Sequence, residues 1–360
     1  MERVDDIIQA ENEDELLSKL NLPEKENYKW KIISGGIEME KNKVFRGINK
    51  NDADDNIYVK QIFINYNNTY KCKYREIYKE VSLLFSLKTY DYFPKKIEKF
   101  ISDDEEFLFI VFRDNCTSLK NLIKNKENNY LEQQDLIKWI IYQIAFGLYI
   151  LNSNNIIHHD IKPSNILINS QGGISICDFD SSVFKGEDSF RYTLIYAPPE
   201  FLIKNINKKT LIMDEKYDMW GLGLTMLNLY LRESLFSNKV TDKKEQLRNI
   251  FEKFGIKENY TNEELLDELN ENKKIKFKID EKILEKIVDQ NAKDLLNKLL
   301  TFNPKERASA KEVLESDYLK QYKGLDSFEI EKFNITEDYS EICGDAITHE
   351  KFVDLIRKIE

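Results

Sequence analysis

Four polar residues in two neighbouring segments have the types and spacing that phosphoryl transfer needs. Asp160 is followed by Lys162 and then by Asn165, and a second acid, Asp178, comes in the next segment. Transfer of a phosphoryl group requires cations to neutralise its oxygens, an acceptor for the hydroxyl proton, and oxygen ligands for magnesium. A carboxylate, an ammonium and a carboxamide at this spacing can converge to meet these needs. The sequence therefore predicts phosphoryl-transfer chemistry here.

These segments carry a resemblance to a known family. His158 to Asn165 resembles the catalytic loop of eukaryotic-type protein kinases, and Asp178-Phe179-Asp180 resembles their metal-binding motif. Further motifs follow in the family's order from Tyr28 to Tyr322, which chance does not explain. The resemblance implies a bilobal α+β fold. The smaller amino-terminal lobe would be mainly antiparallel β-sheet with a regulatory helix, and the larger carboxy-terminal lobe would be mainly α-helical.

The resemblance also implies a function and a role for each residue above. The chain would be an ATP- and Mg²⁺-dependent serine/threonine protein kinase with a signalling role, and its partner would be a protein substrate. Asp160 would accept the proton of the substrate hydroxyl, and Lys162 would hold the γ-phosphate. Asn165 and Asp178 would bind Mg²⁺, or Mn²⁺ in its place. Lys162 and the loop threonine Thr193 favour serine and threonine as acceptors.

Most of the implied nucleotide-binding residues lie upstream. Lys60, at the end of a predicted strand, would bind the α- and β-phosphates. Glu80 is its predicted ion-pair partner, and Glu76, one helical turn earlier, is the alternative. Phe112 stands at the position that borders the adenine pocket. The remaining residues assigned to nucleotide binding by resemblance are Gly35, Gly36, Val44 and Leu167.

Two further assignments are structural. Glu200 closes a segment that resembles the family's Ala-Pro-Glu motif, and Arg307 is its predicted partner in a buried ion pair. Breaking one side of such a pair costs about 3 to 5 kcal/mol. The ring of His158 is predicted to pack in a hydrophobic spine with Leu84 and Phe179, so we interpret it as neither a metal ligand nor a base.

The catalytic loop departs from the family pattern at His159. In the family this position is an arginine that binds a phosphate on the activation segment, which here is Asp178 to Glu200. A histidine is mostly neutral at pH 7 and cannot make the bidentate contact of an arginine. We therefore predict that activity does not require phosphorylation of this segment. Its candidate acceptors are Ser181, Ser182, Ser189 and Tyr192.

Other departures motivate an alternative function. Asp180 replaces a flexible glycine, Tyr58 replaces a small residue before Lys60, and acids occupy Ile37–Lys43, where glycines would let amides reach the phosphates. A pseudokinase that serves as a binding scaffold, with weak or no phosphotransfer, is therefore the alternative. Small-molecule phosphotransferases are a third candidate, but they generally lack the lysine and the Ala-Pro-Glu segment.

The predicted organisation has three parts. We expect a helical extension at 1–27, a kinase domain at 28–322 and a tail at 323–360, with the lobes divided at 112/113 and a docked helix in the tail. Three strands should begin the domain, with turns at Ser34–Gly36 and Asn49–Asn56. Either helical extension is a candidate for partner docking.

The composition of the chain limits the partners and the cellular location that we expect. The net charge of -10 argues against nucleic-acid binding, which depends on a surplus of Lys and Arg. The four cysteines are scattered, which indicates a reducing compartment without structural zinc. Neither a signal peptide nor a bilayer-spanning segment is recognised. We expect a cytoplasmic protein, with the nucleus left open, and no membrane partner.

Overall fold

The computed structural model describes residues 30–39, 42–49, 52–65, 71–95, 97–102, 104–113, 116–127, 130–187, 191–208, 213–254, 279–325 and 348–359. The predicted amino-terminal helical extension and two residues next to the predicted lobe boundary, Asp114 and Asn115, lie outside these ranges. The chain divides into two compact units. The first unit is Met1–Cys116 with Phe333–Glu360, and the second is Thr117–Lys332.

The first unit contains an antiparallel sheet of five strands in the order β1-β2-β3-β5-β4. One of its faces carries a core of apolar side chains, among them Phe45, Val59 and Phe109, which are 5%, 0% and 0% exposed. Alternate residues of β3 point to the opposite face, because successive side chains of a strand alternate. The strands are β1 Trp30–Met39, β2 Asn42–Asn49, β3 Asp52–Phe63, β4 Ile97–Ile101 and β5 Phe107–Arg113.

Two predicted turns differ from the structure. Ser34–Gly36 lies inside β1, where register shifts between Ile32 and Ser34 and between Ser34 and Ile37 accommodate the glycines without ending the strand. The polar run Asn49–Asn56 was predicted as a loop, yet β3 already begins at Asp52. Asp52 and Asn56 pair with β2 on either side of a register shift, and this cross-strand pairing outweighs the low strand propensity of the run.

Helix α1, Lys71–Leu87, follows the first three strands, and its apolar residues recur at helical spacing. Tyr74, Ile77, Val81 and Leu84 are all at most 6% exposed. The helix therefore packs firmly within the first unit, so its two acids, Glu76 and Glu80, are carried on a fixed support.

The second unit is mainly helical. The helices among its described residues are α2 Leu119–Lys124, α3 Gln134–Ser153, α4 Pro199–Ile206, α5 Lys216–Leu231, α6 Lys243–Lys253, α7 Glu281–Leu284, α8 Gln290–Leu299 and α9 Ala310–Leu314. Short strands are also present: β6 Cys116–Ser118 at the boundary, β7 Ile156–Ile157, β8 Ile166–Asn169, β9 Ile174–Ile176 and β10 Val183–Phe184.

Helices α3 and α5 form the core of this unit. Along α5, every residue from Tyr217 to Leu229 is buried. Helix α3 is long and apolar enough to cross a membrane, but most of it is buried inside the unit, which is typical of a core helix. It leads directly into β7 and the catalytic segment, so the core fixes where that segment begins.

The predicted tail helix is present as α10, His349–Lys358, and it packs on α1 within the first unit. The rings of Tyr74 and Phe352 stack with centroids 4.4 Å apart, and the Tyr74 hydroxyl lies 3.2 Å from His349 Nδ1. Arg357 pairs with Glu105 at 2.7 Å. Helix α1 therefore covers Phe352 on the apolar side of α10.

We expect Phe352→Leu to loosen α1, because the change removes a stacked ring from a fully buried site. Such losses cost on the order of 1 to 2 kcal/mol. Amide hydrogen exchange of α1 should therefore accelerate, whereas Glu350→Ala on the exposed side of α10 should leave it unchanged. Equal exchange in the two variants would show that α10 does not stabilise α1.

Candidate active site

The catalytic segment, His158 to Asn165, is held in place by Asp218 of helix α5. Its two carboxylate oxygens accept hydrogen bonds from the backbone N–H groups of His158, at 2.7 Å, and His159, at 2.8 Å. Complete burial raises the pKa of this carboxyl to about 7, although the two N–H donors oppose the shift. The anchor fixes the backbone immediately before Asp160.

Gly221, one turn further along α5, allows the catalytic segment to approach this closely. A Cβ atom at this position would lie 2.7 Å from the carbonyl oxygen of Ile161, which is closer than real Cβ contacts allow. Any larger residue would therefore push the segment away from the helix.

Asp160 has one occupied carboxylate oxygen and one that remains available. Oδ2 accepts from Lys162 Nζ at 2.5 Å and from Asn165 Nδ2 at 3.0 Å. Oδ1 is buried and has no hydrogen-bond partner among the residues that the structure describes. Buried polar atoms are nearly always paired, so this one requires an explanation. A substrate hydroxyl would supply the missing donor.

Lys162 joins Asp160 to Thr193. Its ammonium also donates to Thr193 Oγ1 at 2.7 Å. Thr193 begins a short 3₁₀ turn, Leu194–Tyr196, which leads into α4. The structure thus brings Asp160, Lys162 and Thr193 into one continuous network.

Asn165 and Asp178 offer the hard oxygen ligands that Mg²⁺ prefers. The Asn165 amide nitrogen donates to the carbonyl and to the carboxylate of Asp160, both at 3.0 Å, which fixes the direction of its amide oxygen. Asp178 has left-handed backbone angles, φ 70° and ψ 74°, which a non-glycine residue adopts only at a cost of about 1 to 3 kcal/mol. The described residues contain no cluster of three metal-ligating side chains. Magnesium commonly binds through one or two protein groups plus phosphate oxygens, so the donor set fits it.

His158 connects the catalytic segment to the predicted metal-binding motif, Asp178-Phe179-Asp180. Its Nε2 donates to the Cys177 carbonyl at 3.0 Å, and its Nδ1 accepts from the Asp160 N–H at 3.3 Å. Burial lowers the pKa of His158, which keeps the ring neutral. The ring centroid lies 5.0 Å from that of Phe179. These contacts indicate a structural role; Leu84, its other predicted neighbour, is buried in the first unit.

In the first unit, the strand register places several predicted nucleotide-binding residues on one face of the sheet. Lys60 pairs with Val44 of β2, and Tyr58 pairs with Phe112 of β5. Side chains of residues directly opposite each other share a face, as do those two apart on one strand. The bulky Tyr58 therefore stands on the same face as Lys60.

Lys60 contacts Glu80 rather than Glu76. The ammonium lies 2.5 Å from Glu80 Oε1, and Glu80 is only 4% exposed. Glu76 instead pairs with Lys73 of its own helix at 3.5 Å. Burial of α1 directs Glu80 towards the sheet, where it holds the ammonium of Lys60.

The other predicted nucleotide-binding residues lie at defined places on strands. Gly35 and Gly36 are within β1, and Leu167 is a half-buried residue of β8 opposite Ser175 of β9. The glycines thus belong to the first unit and Leu167 to the second. Their part in binding a nucleotide stays a prediction.

The predicted pair of Glu200 and Arg307 is formed deep in the second unit. The two terminal nitrogen atoms of the guanidinium, Nη1 and Nη2, lie 2.8 and 2.9 Å from the two carboxylate oxygens. Arg307 is 1% exposed, and it also donates to the carbonyls of Lys216 and Thr301. Every polar group of the pair is thus satisfied, which is what a buried ion pair requires.

Sequence reasoning assigned no role to two residues that the structure places next to the site. Asp218 is an acid inside an apolar helix, and that pattern is a usable signal of a buried structural carboxylate. Arg191 pairs with Asp180 at 3.3 Å. Nothing in the local sequence distinguishes this arginine from a solvated one.

Comparisons with known proteins agree with this geometry. The family model described as protein kinase domain matches residues 40–319, more than half of the chain, so this chain belongs to the protein kinase family. The predicted family and α+β fold are thereby confirmed.

Curated relatives include mitogen-activated protein kinases 6 and 10 of Arabidopsis thaliana. The first is 30% identical over 59% of this chain and 53% of the relative, and the second is 33% identical over 51% and 47%. Serine/threonine-protein kinase ppk23 of Schizosaccharomyces pombe is 30% identical over 61% of this chain and 55% of the relative. The chain thus spans about half the length of these relatives.

Proposed function

We propose that this protein is a serine/threonine protein kinase that transfers the γ-phosphate of ATP to hydroxyl groups of protein substrates. The observation that carries the proposal is the buried and unoccupied Oδ1 of Asp160, next to an oxygen already held by Lys162 and Asn165. A carboxylate held in this way is ready to accept one hydrogen bond from a substrate. The matches to protein kinases support the same activity.

In the proposed reaction, the substrate oxygen bonds to the γ-phosphorus while the bond to the β–γ bridging oxygen breaks, and ADP leaves. Asp160 accepts the hydroxyl proton and later returns it to solvent. Lys162 provides positive charge near the transferred group, and Thr193 holds that ammonium in place. Mg²⁺, when bound by Asn165 and Asp178, would neutralise phosphate charge.

Lys60 would hold the remaining phosphates. Its contact with Glu80 Oε1 at 2.5 Å keeps the ammonium directed. Lysine suits this role since it acts as a compact point charge.

The binding-scaffold alternative is not favoured. The departures that motivated it are Tyr58, Asp180 and the acids within Ile37–Lys43. The ion pair of Lys60 with Glu80 and the hydrogen bond of Lys162 with Asp160 are nevertheless both formed. The proposed location is intracellular and reducing, because the four cysteines are scattered along the chain without paired spacing.

We expect Lys60→Met to lower kcat/KM for ATP by about 10²-fold or more, because it removes a cation aimed at the phosphates. Transfer of labelled γ-phosphate to serine/threonine and tyrosine peptides measures both the loss and the acceptor class. Lys95→Met is the matched control, since Lys95 pairs with the exposed Asp91 on the surface of the same unit.

The proposal requires label on serine or threonine in the wild type and in the control. Label on tyrosine alone would contradict the acceptor class. Undiminished transfer by Lys60→Met would contradict the assignment of the nucleotide site.

A further inference from the structure

Arg191 makes two contacts with the segments that carry the catalytic and metal-binding residues. Its Nη1 lies 3.3 Å from Asp180 Oδ2, and its backbone carbonyl accepts from His159 Nδ1 at 2.8 Å. Arg191 lies two residues before Thr193, whose hydroxyl binds Lys162. The contacts of Arg191 therefore hold the chain just where it enters the catalytic network.

Both partners of Arg191 are positions at which the chain departs from the family pattern. His159 stands where an arginine would read a phosphate, and Asp180 stands where a glycine would be. The distribution of charge is thereby inverted. The cation is on the activation segment, and the anion is a carboxylate within the metal motif instead of an added phosphate.

We propose that Arg191 is a positioning residue, which holds the activation segment through Asp180 and His159 and makes an added phosphate unnecessary. This inference rests on the proposed function and concerns the regulation of the same site.

The contact with His159 does not depend on a charged ring. A carbonyl only accepts, so Nδ1 carries the hydrogen of this bond. The ring is fully buried, lies 4.0 Å from the Tyr217 ring and meets the Phe201 ring edge-on at 5.6 Å. A packed imidazole with one fixed donor can thus hold the backbone of Arg191, whereas an arginine here would bring a charge that needs a partner.

The residues between and after Arg191 and Thr193 are held by contacts of their own, so a shift of Arg191 should also move Thr193. The Tyr192 ring meets the Phe201 ring edge-on at 4.7 Å. The N–H of Tyr196 then donates to the Thr193 carbonyl at 2.9 Å, and that of Ala197 donates to the Leu194 carbonyl at 3.2 Å. Displacing Arg191 should therefore loosen this turn and the bond between Thr193 and Lys162.

The described serines beside Asp180 are poor phosphate acceptors. Ser181 is 7% exposed and donates to Asp180 Oδ1 at 2.9 Å, and Ser182 is 0% exposed and donates to the His158 carbonyl at 3.2 Å. Their hydroxyls are already engaged in supporting the carboxylate and the catalytic segment. The segment is thus held by groups that the chain itself encodes.

A double-mutant cycle with Asp180→Asn and Arg191→Gln tests the proposal. We expect each single variant to raise the exchange rates of the Tyr196 and Ala197 amides about fivefold, which is the upper range for a partly exposed ion pair. The double variant should exchange no faster than either single variant, because the first substitution has already broken the ion pair that the second would break. Lys311→Gln, which breaks an exposed pair with Glu315 on α9, should change neither rate.

The same proteins are then assayed for peptide phosphorylation at saturating Mg²⁺, before and after phosphatase treatment. The peptide KM should rise in step with amide exchange in the single variants, and phosphatase should leave wild-type activity unchanged. Additive effects in the cycle, or unchanged exchange in Arg191→Gln, would overturn the proposal. Activity lost on phosphatase treatment would also overturn it. If the wild type transfers no phosphate, the proposed function fails, and amide exchange alone still decides the role of Arg191.

Discussion

Replacing Asp160 by Asn should lower kcat about 10²- to 10⁴-fold, the range that general acid–base catalysis contributes. The reason lies in how the carboxylate is held. Both groups at Oδ2, from Lys162 and Asn165, are donors, so the oxygen of the introduced amide must occupy that side. The NH₂ group of the amide then faces the substrate from the position of Oδ1, where it donates and cannot accept the hydroxyl proton.

The change should leave ATP affinity nearly unaltered, because in the proposed reaction Asp160 contacts the acceptor and not the nucleotide. Steady-state kinetics together with a direct ATP-binding measurement separate the two effects. Asp294→Asn is the matched control, since Asp294 is a surface acid whose contact with Gln290 an amide oxygen can keep. A kcat that falls less than tenfold in Asp160→Asn would remove this residue from the proposed role.

Loss of Arg307 should be the most destabilising single change considered for the second unit. Arg307→Met leaves the carboxylate of Glu200 buried without its cation and frees two backbone carbonyls, those of Lys216 and Thr301. Removing one partner of a buried pair costs about 3 to 5 kcal/mol of unfolding free energy.

Glu200→Gln should cost less, about 1 to 3 kcal/mol, because the amide oxygen can still accept one hydrogen bond and Arg307 keeps its backbone acceptors. Urea unfolding of both variants measures the order of these effects, with Lys311→Met as the surface control. Equal losses, or a larger loss in Glu200→Gln, would show that the backbone contacts of Arg307 contribute little.

Local motifs predicted that several polar residues of the second unit lie together, because their spacing along the chain is short and the catalytic segment is nearly continuous. Asp160, Lys162 and Asn165 lie within one run, and the structure joins them directly. The choice of Glu80 over Glu76 needed the helix geometry as well, since both acids lie on nearly the same side of α1.

Other features depend on contacts that the sequence pattern does not encode. The ion pair of Arg191 and Asp180 joins two segments whose approach depends on the packing of the His159 ring. Strand β1 continues through its glycines because pairing with β2 absorbs the irregularity as shifts of register. In both cases tertiary contacts outweigh local propensity.

The most direct test of the central claim is transfer of labelled γ-phosphate by the wild type, assayed beside Asp160→Asn under identical Mg²⁺ and ATP concentrations. Circular dichroism and thermal unfolding first establish that both proteins are folded. The account predicts labelled serine or threonine in a protein substrate with the wild type, and a signal lower by about 10²-fold or more with Asp160→Asn. A folded wild type that transfers no phosphate, or equal transfer by the two proteins, would contradict it.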